Sequence, residues 1–167
     1  MSGTSTDSND TPRRFLVRWV FGAITDSWRR QIVAFWLREG AIDSPDEAWR
    51  RSFEVACLLQ DASTGEIAGV CTVAIGLDEQ GRSYGFVRIY IGVNHRHPGF
   101  NVRLMRRMIE GFEAMAAEPG APRRLLATVE NKKIERRGGL RLLASVGFAP
   151  TGRTAQGELL IERRLQV

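Results

Sequence analysis

Val87–Phe112, VRIYIGVNHRHPGFNVRLMRRMIEGF, is the stretch on which the fold turns. An apolar run rich in β-branched residues stops at a short polar turn, Asn94–Gly99, and a long amphipathic helix follows at once. A strand that runs through a glycine turn into a helix N-terminus makes a cradle for anions. The first helical N–H groups have no acceptor inside the helix, and the aligned peptide dipoles place partial positive charge there. Arg96 and Gly99 lie inside this turn, so the stretch reads as a site for a phosphate-bearing cofactor.

On either side of it the sequence supplies further elements. Phe15–Val20 reads as a first strand. A helix follows from Asp26, taken as its N-cap, to about Arg38, with Trp28, Ile32, Phe35 and Trp36 on one face. Ser44-Pro45-Asp46-Glu47 opens a second helix, with Ser44 as N-cap, Pro45 at the first helical position and Glu47 completing a capping box. The period then shortens. Glu54–Gln60, Ile67–Leu77 and Ser83–Val93 are β-rich runs joined by the turns DASTGE and DEQGR, which predicts an antiparallel meander.

The helix after Gly99 carries Val102, Met105, Ile109, Phe112 and Ala116 on its apolar face. Arg103, Arg106, Arg107, Glu110 and Glu113 are expected on the outer face. Leu125–Val129 reads as a strand parallel to the one before the helix, because strand–helix–strand units cross over. A short helix over Leu140–Val146 stops at Gly147, and strands near Phe148–Thr151 and Gly157–Leu165 make a terminal hairpin. The expected fold is one mixed α/β domain over residues 14–167. Its sheet of about seven strands is mostly antiparallel and has helices on both faces.

Composition sets bounds. The polar run of residues 1–13 has almost nothing to bury and reads as a disordered tail, not a secretory signal. No apolar run approaches the ~20 residues that span a bilayer. Cys57 and Cys71 lie in apolar strand-like runs and read as buried, reduced thiols of a cytoplasmic protein. A net charge of +5 suits an anionic cofactor, an acidic substrate or nucleic acid. His95 and His97 form a His-x-His pair with no carboxylate or cysteine to complete a ligand set, so no metal site is expected.

The element order, with a phosphate-type turn after the fourth strand, resembles the GNAT superfamily of acyl-CoA-dependent N-acyltransferases. The family's R/Q-x-x-G-x-G/A signature is matched by Arg96-His97-Pro98-Gly99-Phe100-Asn101. Its late Gly-Phe step is matched by Gly147-Phe148, and Asn131 follows the fifth strand where the family often has an Asn. The chain departs from the family at three places. Asn101 closes the signature where a small residue is usual, the fourth strand lacks a general-base Glu, and Leu143 stands where many members have a Tyr that serves as general acid.

The resemblance implies an N-acetyltransferase that uses acetyl-CoA or another acyl-coenzyme A, and it implies roles for residues. Backbone N–H groups of Arg96, His97, Gly99, Phe100 and Asn101, in the turn that includes Pro98, would bind the pyrophosphate. Ile91, Gly92 and Val93 would pair with the pantetheine arm, and Asn131 would hydrogen-bond that arm. For catalysis the candidates are Arg88 and Tyr90, which share the face of their strand opposite Val87, Ile89 and Ile91, and Glu130 at the end of the fifth strand. Arg88 would bind a substrate carboxylate, Tyr90 would act as acid or orienting group, and Glu130, with Glu54 as a further candidate, would be the base. The alternative for Arg88 and Tyr90 is a structural ion pair and a packed aromatic.

The acceptor implied is an amine of a small molecule, peptide or protein. Two other functions stay open. One is an acyl-CoA-binding module without turnover. The other is an RNA-directed protein, whether it acetylates aminoacyl-tRNA or only binds RNA, supported by Arg103, Arg106, Arg107, Lys132, Lys133, Arg136 and Arg137. Nucleic acid is the less favoured partner, because no strip of interleaved aromatics accompanies those cations. A membrane partner is not expected. The terminal hairpin or the meander edge offers a surface for a homodimer.

Overall fold

The computed structural model describes residues 14–129 and 137–165. The predicted tail, Glu130 and Asn131 lie outside these residues. Seven strands form one mixed sheet in the order β1-β2-β3-β4-β5-β7-β6. They are β1 (Phe15–Trp19), β2 (Val55–Asp61), β3 (Ile67–Leu77), β4 (Ser83–Ile91), β5 (Arg124–Val129), β6 (Ala149–Arg153) and β7 (Leu159–Arg164). All neighbours are antiparallel except β4 and β5, which are parallel as the crossover requires. The helices are α1 (Asp26–Glu39), α2 (Pro45–Arg51), α3 (Pro98–Ala114) and α4 (Arg137–Ser145).

The sheet divides the apolar side chains into two cores. Ile32, Phe35 and Trp36 of α1 and Ala48 of α2 pack with Val55, Leu58, Ile67 and Val70 on one face. On the other, α3 sets Leu104, Met108 and Phe112 against Cys71, Val73, Val87, Leu125 and Ile161. The α3 stripe is therefore wider than its predicted positions. Leu104 and Met108 are fully buried, whereas Val102 lies at the margin.

The N-cap of α1 is Thr25, whose hydroxyl accepts from Trp28 N at 3.2 Å, and Asp26 falls in the first turn. A threonine and an aspartate adjacent in sequence serve equally as caps, so only the backbone conformation separates them. Ser44 caps α2 as predicted, but Glu47 does not close the box. Its carboxylate turns to Arg50 at 2.6 Å. The β2 strand begins at Val55, because Ser52–Glu54 forms a 3-10 turn, and β4 ends at Ile91 rather than Val93.

Two of the predicted outer cations face inward. Arg103 donates to the Phe15 carbonyl at 2.7 Å, and the Arg107 guanidinium stacks 5.5 Å from the centre of the Trp19 ring. Both dock α3 on β1, which takes them out of the basic set that the sequence suggests, while Lys132, Lys133 and Arg136 lie outside the described residues.

Where β2 turns into β3, buried Asp61 accepts from Arg14 Nε at 2.9 Å and from Ser63 N and Oγ at 2.9 and 2.7 Å. The Arg14 hydrogen bond, helped by those from Ser63, holds the Asp61 carboxyl well below the usual carboxylate range against the opposing effect of its burial. A carboxyl lowered in the folded state stabilises the protein above its unfolded value of 3.8 and loses that contribution as the pH falls through the folded value. Asp61→Asn should therefore melt lower than the parent at pH 7, and the gap should close as the pH falls below about 4. Scanning calorimetry at a series of pH values checks this.

Candidate functional site

The pairing of β4 with β5 is short. It runs through Tyr84↔Arg124, Gly85↔Leu125 and Phe86↔Leu126 and then stops, although both strands continue. β5 goes on pairing with β7 as far as Val129↔Leu159, and β4 goes on pairing with β3 as far as Ile91↔Gly69. The sheet thus opens along one side of the second half of β4.

Antiparallel alternation says which groups line the opening. Gly92 N donates to Ala68 O at 2.8 Å, so Tyr90 and Arg88 also exchange their backbone hydrogen bonds with β3. The N–H and C=O of Ile89 and Ile91 then point to the open edge. Of the predicted stretch Ile91–Val93, Gly92 is turned inward by this bond, and Val93 begins a 3-10 turn. A cross-strand neighbour without a strand beside it is the arrangement that an extended chain can extend as one more strand.

The open edge leads into the predicted turn. His95 N donates to Gly92 O, His97 N to His95 O and Phe100 N to His97 O. His97 is the N-cap of α3, and its Nδ1 accepts from Gly99 N at 3.2 Å. Pro98 takes the first helical position, where its missing N–H costs nothing. The turn is therefore held largely by its own bonds. A phosphate that used the Gly99 N–H would have to displace the His97 imidazole.

Gly99 itself has ordinary helical backbone, and a methyl group there would meet only the His97 ring, at 3.3 Å. Nothing inside the fold requires glycine at this position. A ligand approaching the backbone closely would require it. Phe100 is buried against Phe15, ring centres 4.8 Å apart, and anchors the first turn of α3, while Asn101 is exposed. Arg96 folds back along β4. Its Nε donates to Ile91 O at 3.4 Å, and its guanidinium lies 5.8 Å from the centre of the Tyr90 ring. The residues thus fit an acyl-CoA in kind: an open strand edge, a helix N-terminus and a glycine whose bare face points outward.

The face of β4 toward α1 and α2 carries the predicted catalytic pair. Tyr90 is half-buried, edge-on to Phe35 at 6.0 Å, and its hydroxyl donates to the Glu39 carbonyl at 3.4 Å. Arg88 is exposed, its guanidinium 4.9 Å from the centre of the Phe86 ring, and among the described residues no carboxylate lies within ion-pair distance. The alternative of a structural ion pair for Arg88 has no partner among the described residues. Leu143 of α4 packs against the larger core, so that position supplies no proton.

One residue near the opening escapes a reading of the sequence. Glu39, the last residue of α1, sets Oε1 so close to Gly92 that a Cβ there would lie 2.7 Å from it. In sequence it is a charged residue at a helix end, which ordinarily sits in water. Only the docking of α1 over the end of β4 brings it to the site.

Among the described residues no cluster of three His, Cys, Asp or Glu side chains is arranged to hold a metal ion. Cys57 and Cys71 are buried free thiols directly opposite each other on β2 and β3. Burial pushes the Cys57 thiol up to about 12 and Cys71 well above its ordinary value, so neither is a nucleophile at neutral pH. Among the described residues no helix is long and apolar enough to cross a membrane.

No family model matches the sequence, and no curated protein does. Solved structures do match. A GNAT-family acetyltransferase from Streptococcus pneumoniae is 19% identical, with a TM-score of 0.67 over 91% of this chain and 99% of that one. A GNAT superfamily phosphinothricin acetyltransferase from Sinorhizobium meliloti, solved with acetyl-CoA, is 17% identical, with a TM-score of 0.66 over 91% of this chain and 89% of that one. A GCN5-related N-acetyltransferase from Kribbella flavida is 19% identical, with a TM-score of 0.63 over 92% and 99%. With its one parallel strand pair, its opening beside β4 and the turn into α3, this chain has the fold of the GNAT acetyltransferases.

Proposed function

We propose that the chain is an acyl-CoA-dependent N-acyltransferase that uses acetyl-CoA and transfers the acyl group directly to an amine. The observation that carries this reading is the open edge of β4, with Ile89 and Ile91 facing it, leading straight into the N-terminus of α3. The Ile89 and Ile91 backbone would hold the pantetheine arm. The turn from Arg96 through His97, Pro98, Gly99 and Phe100 to Asn101 would hold the pyrophosphate, with Asn131 on the arm.

Bound acetyl-CoA supplies an acyl group activated as a thioester. The protein's own tasks are then to polarise the carbonyl, to present a neutral amine and to keep the two in line. A backbone N–H of the β4 edge would serve the first task. A carboxylate at the opening, Glu39 or Glu130, would take the proton from the ammonium of the acceptor. Arg88 would orient the acceptor. Tyr90 would fix the edge, because its hydroxyl is already given to α1 and its ring carries Arg96. The proposed setting is cytoplasmic.

A second reading, an acyl-CoA-binding module without turnover, is favoured by the apolar Leu143 and by the engaged Tyr90 hydroxyl. Release of free thiol from acetyl-CoA against a panel of small amines and peptides separates the two. Turnover above the rate of hydrolysis supports the transferase. Tight binding in calorimetry with no thiol release from any acceptor supports the module.

A further inference from the structure

The end of the sheet far from the opening carries a second concentration of charge. β4 starts there at Ser83 and β5 at Arg124, whereas the opening ends at Ile91, about 25 Å along β4. A cleft of about 310 Å³ at this end is lined by Arg82, Arg123, Arg124, Glu162 and Arg164. The turn before β4, the start of β5 and the end of β7 bring these residues together.

The register sets two of the arginines against each other. Arg124 and Arg164 are direct partners across β5 and β7. Leu165 N donates to Arg123 O at 2.9 Å, so ladder alternation makes Arg124 and Arg164 a non-hydrogen-bonded pair, the kind whose side chains stand closest. Like charges directly opposite each other destabilise a sheet. Arg123 N donates to Ser83 O at 2.9 Å, which ties the backbone of a third arginine to the start of β4.

The carboxylates at this end do not balance the arginines. Asp78 accepts from Arg82 Nε and Arg124 Nη2, each at 3.2 Å, and Glu162 accepts from Arg124 Nη1 at 3.4 Å. Among the described residues no carboxylate lies within ion-pair distance of Arg123 or Arg164. Four guanidiniums are thus met by two carboxylates, and two positive charges are left over. Arg124 Nε is buried and has no hydrogen-bond partner. A buried donor without an acceptor is costly, and an anion in the cleft would supply one.

Two uncompensated charges on guanidinium forks match a phosphate monoester, which carries nearly two negative charges at neutral pH and three acceptor oxygens. A carboxylate or a phosphodiester brings only one charge. We propose that this cleft is a second anion site, separate from the acyl-CoA site, that takes a dianionic phosphate, either the free ion or the terminal phosphate of a small molecule. The proposal stands without the acyltransferase reading.

Titration calorimetry at constant ionic strength tests it, with inorganic phosphate, glycerol 3-phosphate and dimethyl phosphate as probes. The first two should bind saturably, and the singly charged diester at least about tenfold more weakly. Tighter binding of glycerol 3-phosphate than of inorganic phosphate assigns the site to an organic phosphate, and the reverse order assigns it to the free ion. Arg123→Gln and Arg164→Gln should each weaken phosphate binding at least about tenfold and leave the Kd for acetyl-CoA unchanged, whereas Gly99→Glu should keep the phosphate binding that these two lose. Stability gives a second readout. In phosphate-free buffer Arg164→Gln should melt no lower than the parent, because it relieves a like-charge pair, while added phosphate should raise the melting temperature of the parent and not that of the variant. No saturable phosphate binding by the parent, equal affinity for monoester and diester, or phosphate binding that survives in both Gln variants would overturn the proposal.

Discussion

Gly99→Glu is expected to raise the Kd for acetyl-CoA at least about 100-fold while leaving the melting temperature almost unchanged. The two halves of this expectation have separate causes. In the folded protein Gly99 has ordinary helical backbone, and its missing side chain points at nothing but the His97 ring, at 3.3 Å. A glutamate in the first turn of a helix also sits favourably against the macrodipole. Stability therefore has no reason to fall. In the complex, the new carboxylate would occupy the space toward which the first turn of α3 directs its positive end. Two like charges about 4 Å apart at a protein surface repel by about 4 kcal/mol, which is more than enough for a hundredfold loss. Titration calorimetry with acetyl-CoA is the measurement, with Gly99→Ala as the control expected to lose much less. Normal binding by Gly99→Glu would remove this turn from the cofactor site.

Phe112→Ala is expected to cost about 3–5 kcal/mol, the range for removing a fully buried aromatic ring. The ring has no exposed surface, and it holds Trp19 and Phe21 edge-on, with centres 5.1 and 4.8 Å away. It is the point where α3 grips β1, and its neighbour Gly111 lies directly beneath the Trp19 ring, where even a methyl group would collide. The surroundings thus have little freedom to collapse into the cavity. For a chain of this size the loss corresponds to a fall of roughly 10 °C in melting temperature. Leu77→Ala is the contrast. Leu77 is 70% exposed at the end of β3, and its removal should change stability by less than about 0.5 kcal/mol. Thermal and urea unfolding of the two variants compare them directly. Equal effects would mean that the α3–β1 contact does not carry the fold.

Much of the architecture was legible because it rests on local chemistry. The β3 run Ile67–Leu77 has both its predicted bounds, the α2 cap is Ser44, and Gly147 ends α4 with a left-handed backbone, φ 82°. These depend on residues next to each other in the chain. The misplaced details depend on competition. Glu47 had two partners within reach, Ser44 behind it and Arg50 ahead, and the charged one won. Arg103 and Arg107 fall on the polar side of the α3 pattern, yet β1 runs beneath them and takes their guanidiniums. A periodicity argument knows the helix and not what lies beside it.

The site divides in the same way. By itself the sequence determined that a strand, a glycine turn and a helix N-terminus follow one another at Val87–Phe112, and that Arg88 and Tyr90 share one face of the strand. Strand alternation, helix periodicity and turn chemistry are properties of the chain, so no neighbour was needed. The tertiary structure decided the rest. It parted β4 from β5 after Phe86, turned the Gly92 N–H inward to β3, closed His97 over Gly99 and brought Glu39 to the opening. Each of these joins segments distant in the chain or chooses among bonds equally open to it, and that choice is made only by the packing of α1, α2 and the sheet.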